Sequence, residues 1–182
     1  MKAARPDATE AADTTALRRV ASGEVGALGE VYDRHARSLL AFVARVAGGA
    51  DAEDLVHTVF VRAARLAATY DGRATSARSW LFGIAAKVMQ ERRRSFTRGL
   101  RALLRVRSSE VAPAEPALGS RRDVEKALAT LTEAKRVVVL LADLEGFTCE
   151  EIARMLDIPV GTVWTRLYHA RRELRAFCEG AS

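Results

Sequence analysis

Leu28, Val31, Tyr32, Leu39, Phe42, Val43 and Val46 fall at intervals of three, four and seven, the spacing of one helical face, and the run stops at Gly48-Gly49. Asp51 is then placed to cap a second helix, with Glu53 and Asp54 favoured by the dipole of its first turn and Leu55, Val59 and Leu66 continuing down one side. This helix runs out near Tyr70-Asp71-Gly72. A polar loop, DGRATSAR, leads to a third helix from about Ser79, in which Trp80, Leu81, Ile84 and Val88 form the expected buried stripe before the charged run Glu91 to Arg94. The first fifteen residues, MKAARPDATEAADTT, hold no sustained apolar period and read as a disordered tail. A first helical domain is therefore expected over 16–98.

From 99 to 120 the composition changes: basic residues give way to Pro113, Pro116 and Gly119, as in a flexible linker. A second domain is expected over 121–182, with helices at 123–130, 133–144, 148–156 and 159–178. Thr148 followed by Glu151 is a capping-box pair, and Phe147 is placed to staple onto Ile152. Pro159, after a short turn, suits the first position of the next helix, where its missing N–H costs nothing. Two helices so joined form the helix-turn-helix that places a helix in a DNA major groove.

At about 100° per residue, Val160, Val163, Leu167, Ala170, Leu174 and Phe177 make the core stripe of that last helix. The far side is left to Gly161, Thr162, Thr165, Tyr168, His169 and Arg172, flanked by Trp164, Arg171 and Arg175. Thr and His can hydrogen-bond base edges, an aromatic ring can pack on thymine methyls or sugar, and flanking arginines can hold phosphates. The same arginines would also suit a solvated helix end. The capped helix and turn ahead of them favour DNA.

Composition sharpens this picture. The chain has 182 residues, enough for one ordinary domain or two small ones, and the helical blocks favour two. A 49% hydrophobic content with only 6% aromatics and abundant alanine favours an all-α protein. The formal charge of +6 rests mostly on arginine, the side chain best suited to bidentate phosphate contact, so an anionic partner is expected. Apolar runs such as VVVLLA are too short to span a bilayer and no secretion signal opens the chain, which points to a cytoplasmic protein without membrane insertion. Cys149 and Cys178 are expected unpaired there. His35, His57, His169 and the two cysteines follow no metal-binding or nucleophile spacing, and no phosphate loop follows a strand, so neither an enzyme nor a cofactor is expected.

Two motif sets, DAEDLVHTVFVRAARL with SARSWLFGIAAKVMQERRR, and LTEAKRVVVLLADLEGFTCEEIARMLDIPVGTVWTRLYHARRELR, resemble the sigma-70 family, in its two-domain extracytoplasmic function (ECF) group. The resemblance spans Leu17 to Phe177, with the two sets in the family's order. It implies a transcription initiation factor partnered with core RNA polymerase, through its beta-prime and beta subunits, and with promoter DNA; such factors are usually held inactive by an anti-sigma factor. By this resemblance Glu53, Asp54, Leu55, His57 and Phe60 match the polymerase-docking positions, and acidic groups beside an apolar ridge suit an arginine-bearing partner helix. Arg73, Thr75, Ser76, Arg78 and Lys87 fall in the reader of the opened minus-ten element, where cations track phosphates and pockets accept flipped bases. Trp164, Thr165, Tyr168 and His169 match the minus-thirty-five readers, with Arg171 and Arg172 beside them. Three residues depart from the family's usual choice: His57 replaces glutamine, Lys87 asparagine, and Trp164 arginine or lysine. Lys87 offers donors without an acceptor, and Trp164 cannot pair bidentately with guanine. A stand-alone helix-turn-helix regulator is the alternative, and it gives AEDLVH no role.

Overall fold

In a computed structural model of the protein, residues 8–104 and 121–180 are described, and every regular element among them is helical. The chain divides into two compact units, Met1–Val88 with Arg154–Asp157 and Met89–Ala153 with Ile158–Ser182.

The first unit is built on α1 (Ala8–Ala21), α2 (Leu28–Ala47), α3 (Ala52–Leu66) and the opening turns of α4 (Ala77–Leu104). Gly48 ends α2 in the left-handed region at φ 88°, where a Cβ would be strained. The apolar faces of α2 and α3 meet those of α1 and α4, burying Leu17, Val31, Leu39, Phe42, Val43, Val59, Leu81 and Phe82 completely. Phe42 and Phe82 pack with ring centroids 5.2 Å apart, in the tilted geometry aromatic pairs prefer.

Here three expectations are corrected. Residues 8–15, read as tail, are the start of α1, whose inner face is polar at its beginning: Asp13 is buried and accepts hydrogen bonds from Arg34 Nε and His35 Nε2 of α2, each at 2.6 Å. The buried apolar residues of α1, Ala16, Leu17 and Val20, lie in its second half, so its opening turns carry no apolar period for a sequence pattern to find. Asp51 makes no side-chain cap at α3, because Gly49–Asp51 forms a tight 3-10 turn leading straight into the helix. Trp80 is half-buried against Tyr70, ring centroids 5.2 Å apart, while Ser79 takes the enclosed position beside it. In addition α4 continues through Leu104, so residues 99–104 of the expected linker are helical. The remainder of that linker, 105–120, and residues 1–7 lie outside the described residues.

The second unit holds the rest of α4, α5 (Arg121–Thr130), α6 (Glu133–Val139), α7 (Cys149–Leu156) up to Ala153, and α8 (Val160–Gly180). Its core joins Leu128, Leu131, Val138, Leu141, Ile152, Val163, Leu167 and Ala170. Arg136 of α6 reaches back to the end of α5, donating from Nε to the Leu128 carbonyl at 2.7 Å and from a terminal nitrogen to that of Leu131 at 3.0 Å. These bonds tie α6 to the end of α5, where the Leu128 carbonyl also accepts from the Leu131 N–H at 3.2 Å. Burial pushes the Arg136 guanidinium below its usual pKa. Past Val139 the helix widens into a π-turn, Leu140–Leu144, closed by Glu145 N–H donating to the Leu140 carbonyl at 3.0 Å. Lys135 of α6 pairs with Glu173 of α8 at 2.6 Å.

Asp13→Ala removes the acceptor shared by Arg34 and His35 and leaves their donors facing an apolar methyl. We expect it to lower the stability of the first unit by about 3 kcal/mol. Urea unfolding followed through Trp80 fluorescence, in a Trp164→Phe background, measures the loss.

Candidate functional site

Glu53, Asp54 and His57 are exposed on the first two turns of α3. Their spacing puts Glu53, His57 and Val61 on one stripe. Leu55 and Phe60, placed with them by the resemblance, are instead buried at 8% and 4% exposure, so they support this surface from beneath. The Phe60 ring packs on Tyr32 of α2 at 4.7 Å between centroids, and Tyr32 itself is 47% exposed. The exposed ring beside this surface is thus Tyr32, which periodicity assigned to the core stripe of α2. Beside Glu53 and Asp54 lies an open pocket of ≈ 500 Å³, floored by Leu40, Ala44, Gly49, Ala50 and Ala52. Its rim is acidic and its floor is made of small and aliphatic residues.

The segment from Tyr70 to Ala77 is a loop with a built-in brace. The Asp71 carbonyl accepts from the N–H groups of Ala74 at 3.1 Å and Thr75 at 3.2 Å, and its carboxylate accepts from Arg73 N–H at 3.0 Å. Ser76 caps α4, its Oγ accepting from Ser79 N–H at 3.0 Å. Arg73 is exposed, Thr75 and Ser76 are half-buried, and the Arg78 guanidinium lies over the Phe82 ring at 5.1 Å from its centroid. Lys87 is exposed but sits nearly three turns further along α4, so the structure does not bring it to the loop. The Tyr70 hydroxyl donates to Glu10 Oε1 at 2.8 Å and lies 3.3 Å from Thr14 Oγ1. Burial raises the Tyr70 phenol above its ordinary pKa, and its hydrogen bonding to Glu10 adds to the rise.

In the second unit the capping box is made in full. Thr148 N–H and Oγ–H donate to Glu151 Oε2 at 2.8 and 3.0 Å, and Glu151 N–H returns a bond to Thr148 Oγ1 at 3.2 Å. Asp157, at φ 53°, makes the left-handed turn between α7 and α8, and Ile158 N–H closes it on the Ala153 carbonyl at 3.1 Å. On α8 Val163, Leu167 and Ala170 are buried and Leu174 and Phe177 half-buried, but Val160, expected in that stripe, is 41% exposed. It lies one turn before Trp164 and two before Tyr168, which are 57% and 64% exposed, giving an outward apolar stripe at intervals of four.

Among the cations beside that stripe, Arg171 is taken up by Asp143 of the π-turn, to which its Nε donates at 3.1 Å with a second, shorter bond from its terminal nitrogen. That pairing raises the Arg171 pKa. Arg172 lies over the Tyr168 ring at 6.0 Å, and His169, half-buried, meets the same ring edge-on at 5.4 Å. Thr165 is exposed and donates its hydroxyl to the Gly161 carbonyl at 2.9 Å, which keeps its lone pairs available as acceptors. Neither Cys149 nor Cys178 is in a disulfide. Among the described residues no cluster of three His, Cys, Asp or Glu forms, and no helix is long and apolar enough to cross a membrane.

Comparison with known proteins gives this geometry a context. Sigma-70 region 2 matches residues 31–99, and Sigma-70, region 4 matches 121–174. The ECF RNA polymerase sigma factor SigL of Mycobacterium tuberculosis is 31% identical over 162 residues, covering 85% of this chain and 90% of that protein. The chain belongs to the ECF sigma factors of the sigma-70 family.

SigK of Mycobacterium bovis is a second ECF sigma factor relative, 29% identical over 87% of this chain and 89% of its own length. Two solved structures share the fold. CnrH, in complex with the cytosolic domain of CnrY, has a TM-score of 0.68 at 28% identity, covering 94% of this sigma factor and 99% of that chain. The sigma factor RpoE from Bartonella quintana, in complex with the anti-sigma factor NepR, has a TM-score of 0.67 at 25% identity, covering 79% and 91%. In this sigma factor the region 2 match takes in α2, α3 and the Tyr70–Ala77 loop and begins beyond α1, whereas the region 4 match holds both helices of the helix-turn-helix.

Because the folded state raises the Tyr70 pKa, its protonated phenol contributes stability that is whole below about pH 10, the unfolded value, and declines as pH rises toward the folded one. We expect the stability of the first unit to fall above about pH 10, and less steeply in Tyr70→Phe. Urea midpoints measured from about pH 9 to pH 11 give both slopes.

Proposed function

We propose that this sigma factor brings core RNA polymerase to promoters through three surfaces: Glu53, Asp54 and His57 with Tyr32 for the polymerase, the 70–77 loop for the opened minus-ten strand, and the outer face of α8 for the minus-thirty-five duplex. Bond making and breaking belong to the polymerase. The protein supplies position and strand capture, and it needs no cofactor to do so. An anti-sigma factor would act by covering one of these surfaces.

The observation that carries this reading is the outward face of α8, where Trp164 and Tyr168 stand well over half exposed behind a fully capped α7. Rings that large are left in water when a partner covers them. Flanking arginines make that partner anionic. Thr165 and His169 supply the polar contacts, Arg172 a phosphate or ring contact, and Arg171 acts through Asp143 by holding the π-turn. On the first unit Arg73, Thr75 and Ser76 line the loop with Arg78 beside it, and Lys87 contacts the strand further from the loop. The acidic surface on α3 is the feature a stand-alone helix-turn-helix regulator would not need.

Asp54→Ala combined with His57→Ala should weaken binding to core polymerase about tenfold or more. Both side chains are exposed, so stability should stay within about 0.5 kcal/mol. Titration of labelled protein into core enzyme reads the first and thermal unfolding the second; unchanged polymerase affinity would favour the stand-alone regulator.

A second expectation concerns the stripe on α8. Once run-off transcription from genomic fragments has yielded a promoter, replacing the minus-thirty-five thymines by deoxyuridine removes only their methyl groups. Each methyl packed against Trp164 or Tyr168 should be worth about fourfold in affinity. The difference between thymine and uracil should vanish in Trp164→Ala with Tyr168→Ala, and a wild type indifferent to the exchange would exclude apolar readout.

A further inference from the structure

The residues that grip the 70–77 loop come from α1, outside the stretch that matches region 2. Glu10, Asp13, Thr14 and Leu17 follow one another at helical spacing, so they share one face. Leu17 and Asp13 are buried and fix that face against the first unit, Asp13 through Arg34 and His35 at 2.6 Å. Glu10 and Thr14 are turned to the loop. Glu10 Oε1 accepts from the Tyr70 hydroxyl at 2.8 Å and from the Ala77 N–H, 67 residues away in sequence, also at 2.8 Å. Tyr70 opens the loop and Ala77 is the first residue of α4, so a single oxygen atom pins both ends.

Gly72 shows how closely α1 approaches. A Cβ there would stand 2.9 Å from Thr14 Oγ1, closer than a Cβ normally comes, and 3.1 Å from the Tyr70 hydroxyl, so Thr14 would have to shift. The carboxylate also sits where a helix N-terminus favours negative charge, at an N–H that has no partner within the helix.

We propose that Glu10 is a positioning residue for capture of the unpaired promoter strand: it does not touch DNA but sets the spacing of the loop ends that do. This rests on the reading of the loop as the minus-ten reader. A loop whose ends are held beforehand loses less entropy when a strand binds it. Released from Glu10, the loop would have to be ordered by the DNA. Because both bonds end on one oxygen as acceptor, a carboxamide retains them and a methyl does not.

The test uses holoenzyme and a fork-junction DNA, duplex upstream and single-stranded through the minus-ten element of a promoter recovered as above. Glu10→Ala should weaken fork binding about tenfold. Affinity for core polymerase and for the minus-thirty-five duplex should not change. Glu10→Gln should stay within about threefold of wild type. Hydrogen exchange at the Ala77 amide should accelerate in Glu10→Ala and not in Glu10→Gln. The proposal is overturned if Glu10→Ala binds the fork like wild type, if it loses polymerase affinity in parallel, or if Glu10→Gln is as impaired as Glu10→Ala. Arg73→Ala, which leaves the pin intact, separates the two layers. If it weakens fork binding and Glu10→Ala does not, only the pin fails; if neither does, the reading of the loop fails and the pin's role with it.

Discussion

Asp13 is the constraint on which the first unit turns. A carboxylate 1% exposed would be strongly destabilising alone, and it is held by two donors at 2.6 Å, one from an arginine and one from a histidine on adjacent positions of α2. Removing the carboxylate alone would strand both donors, and its two bonds fix which face α1 turns to α2. If α1 were rotated by a single residue, about 100°, Asp13 would leave both donors and Glu10 would swing away from Tyr70 and Ala77. The geometry at the loop is therefore inherited from an ion pair several residues along the same helix.

This also explains what the sequence made legible and what it hid. The helix-turn-helix could be read because each of its boundaries is set locally: Thr148 with Glu151 begins α7, Pro159 precedes α8, and Val163, Leu167 and Ala170 keep the period between. The helices α2 and α3 were legible from their apolar stripes alone. By contrast α1 opens with ATEAADTT, whose buried positions are polar and whose partners lie twenty to sixty-seven residues away. No local pattern encodes those partners. A hydrophobic period registers the second half of α1, where Ala16, Leu17 and Val20 are buried, and not the first, which docks through hydrogen bonds.

The site residues divide in the same way. Exposed positions such as Glu53, Asp54, Trp164 and Tyr168 followed from a resemblance or a helical wheel, which require only a residue's direction from its own axis. Residues with distant partners did not. Arg171 lies on the outer side of α8 as the wheel predicts, yet its guanidinium is committed to Asp143, a pairing that depends on the helix widening at Leu140–Leu144. Leu55 and Phe60 match the family's docking positions but turn inward, and the surface above Phe60 passes to Tyr32, which reaches it only because α2 packs on α3.

The two candidate DNA surfaces meet the cost of recognition by different physical routes. On α8 the reading groups ride on a continuous helix, their backbone fixed by twenty-one residues of regular hydrogen bonding, so rigidity is intrinsic and specificity rests on which side chains point outward. A single-stranded partner offers no groove to receive a helix, and a loop must be shaped to its unstacked bases. Left to itself a loop of this length samples many conformations, and ordering it on binding would consume much of the interaction energy. Rigidity there has to come from outside the loop. The Asp71 turn supplies part of it locally, and the rest comes from a helix whose polar opening is secured by a buried carboxylate, so the order of the 70–77 loop depends on residues far from it in sequence.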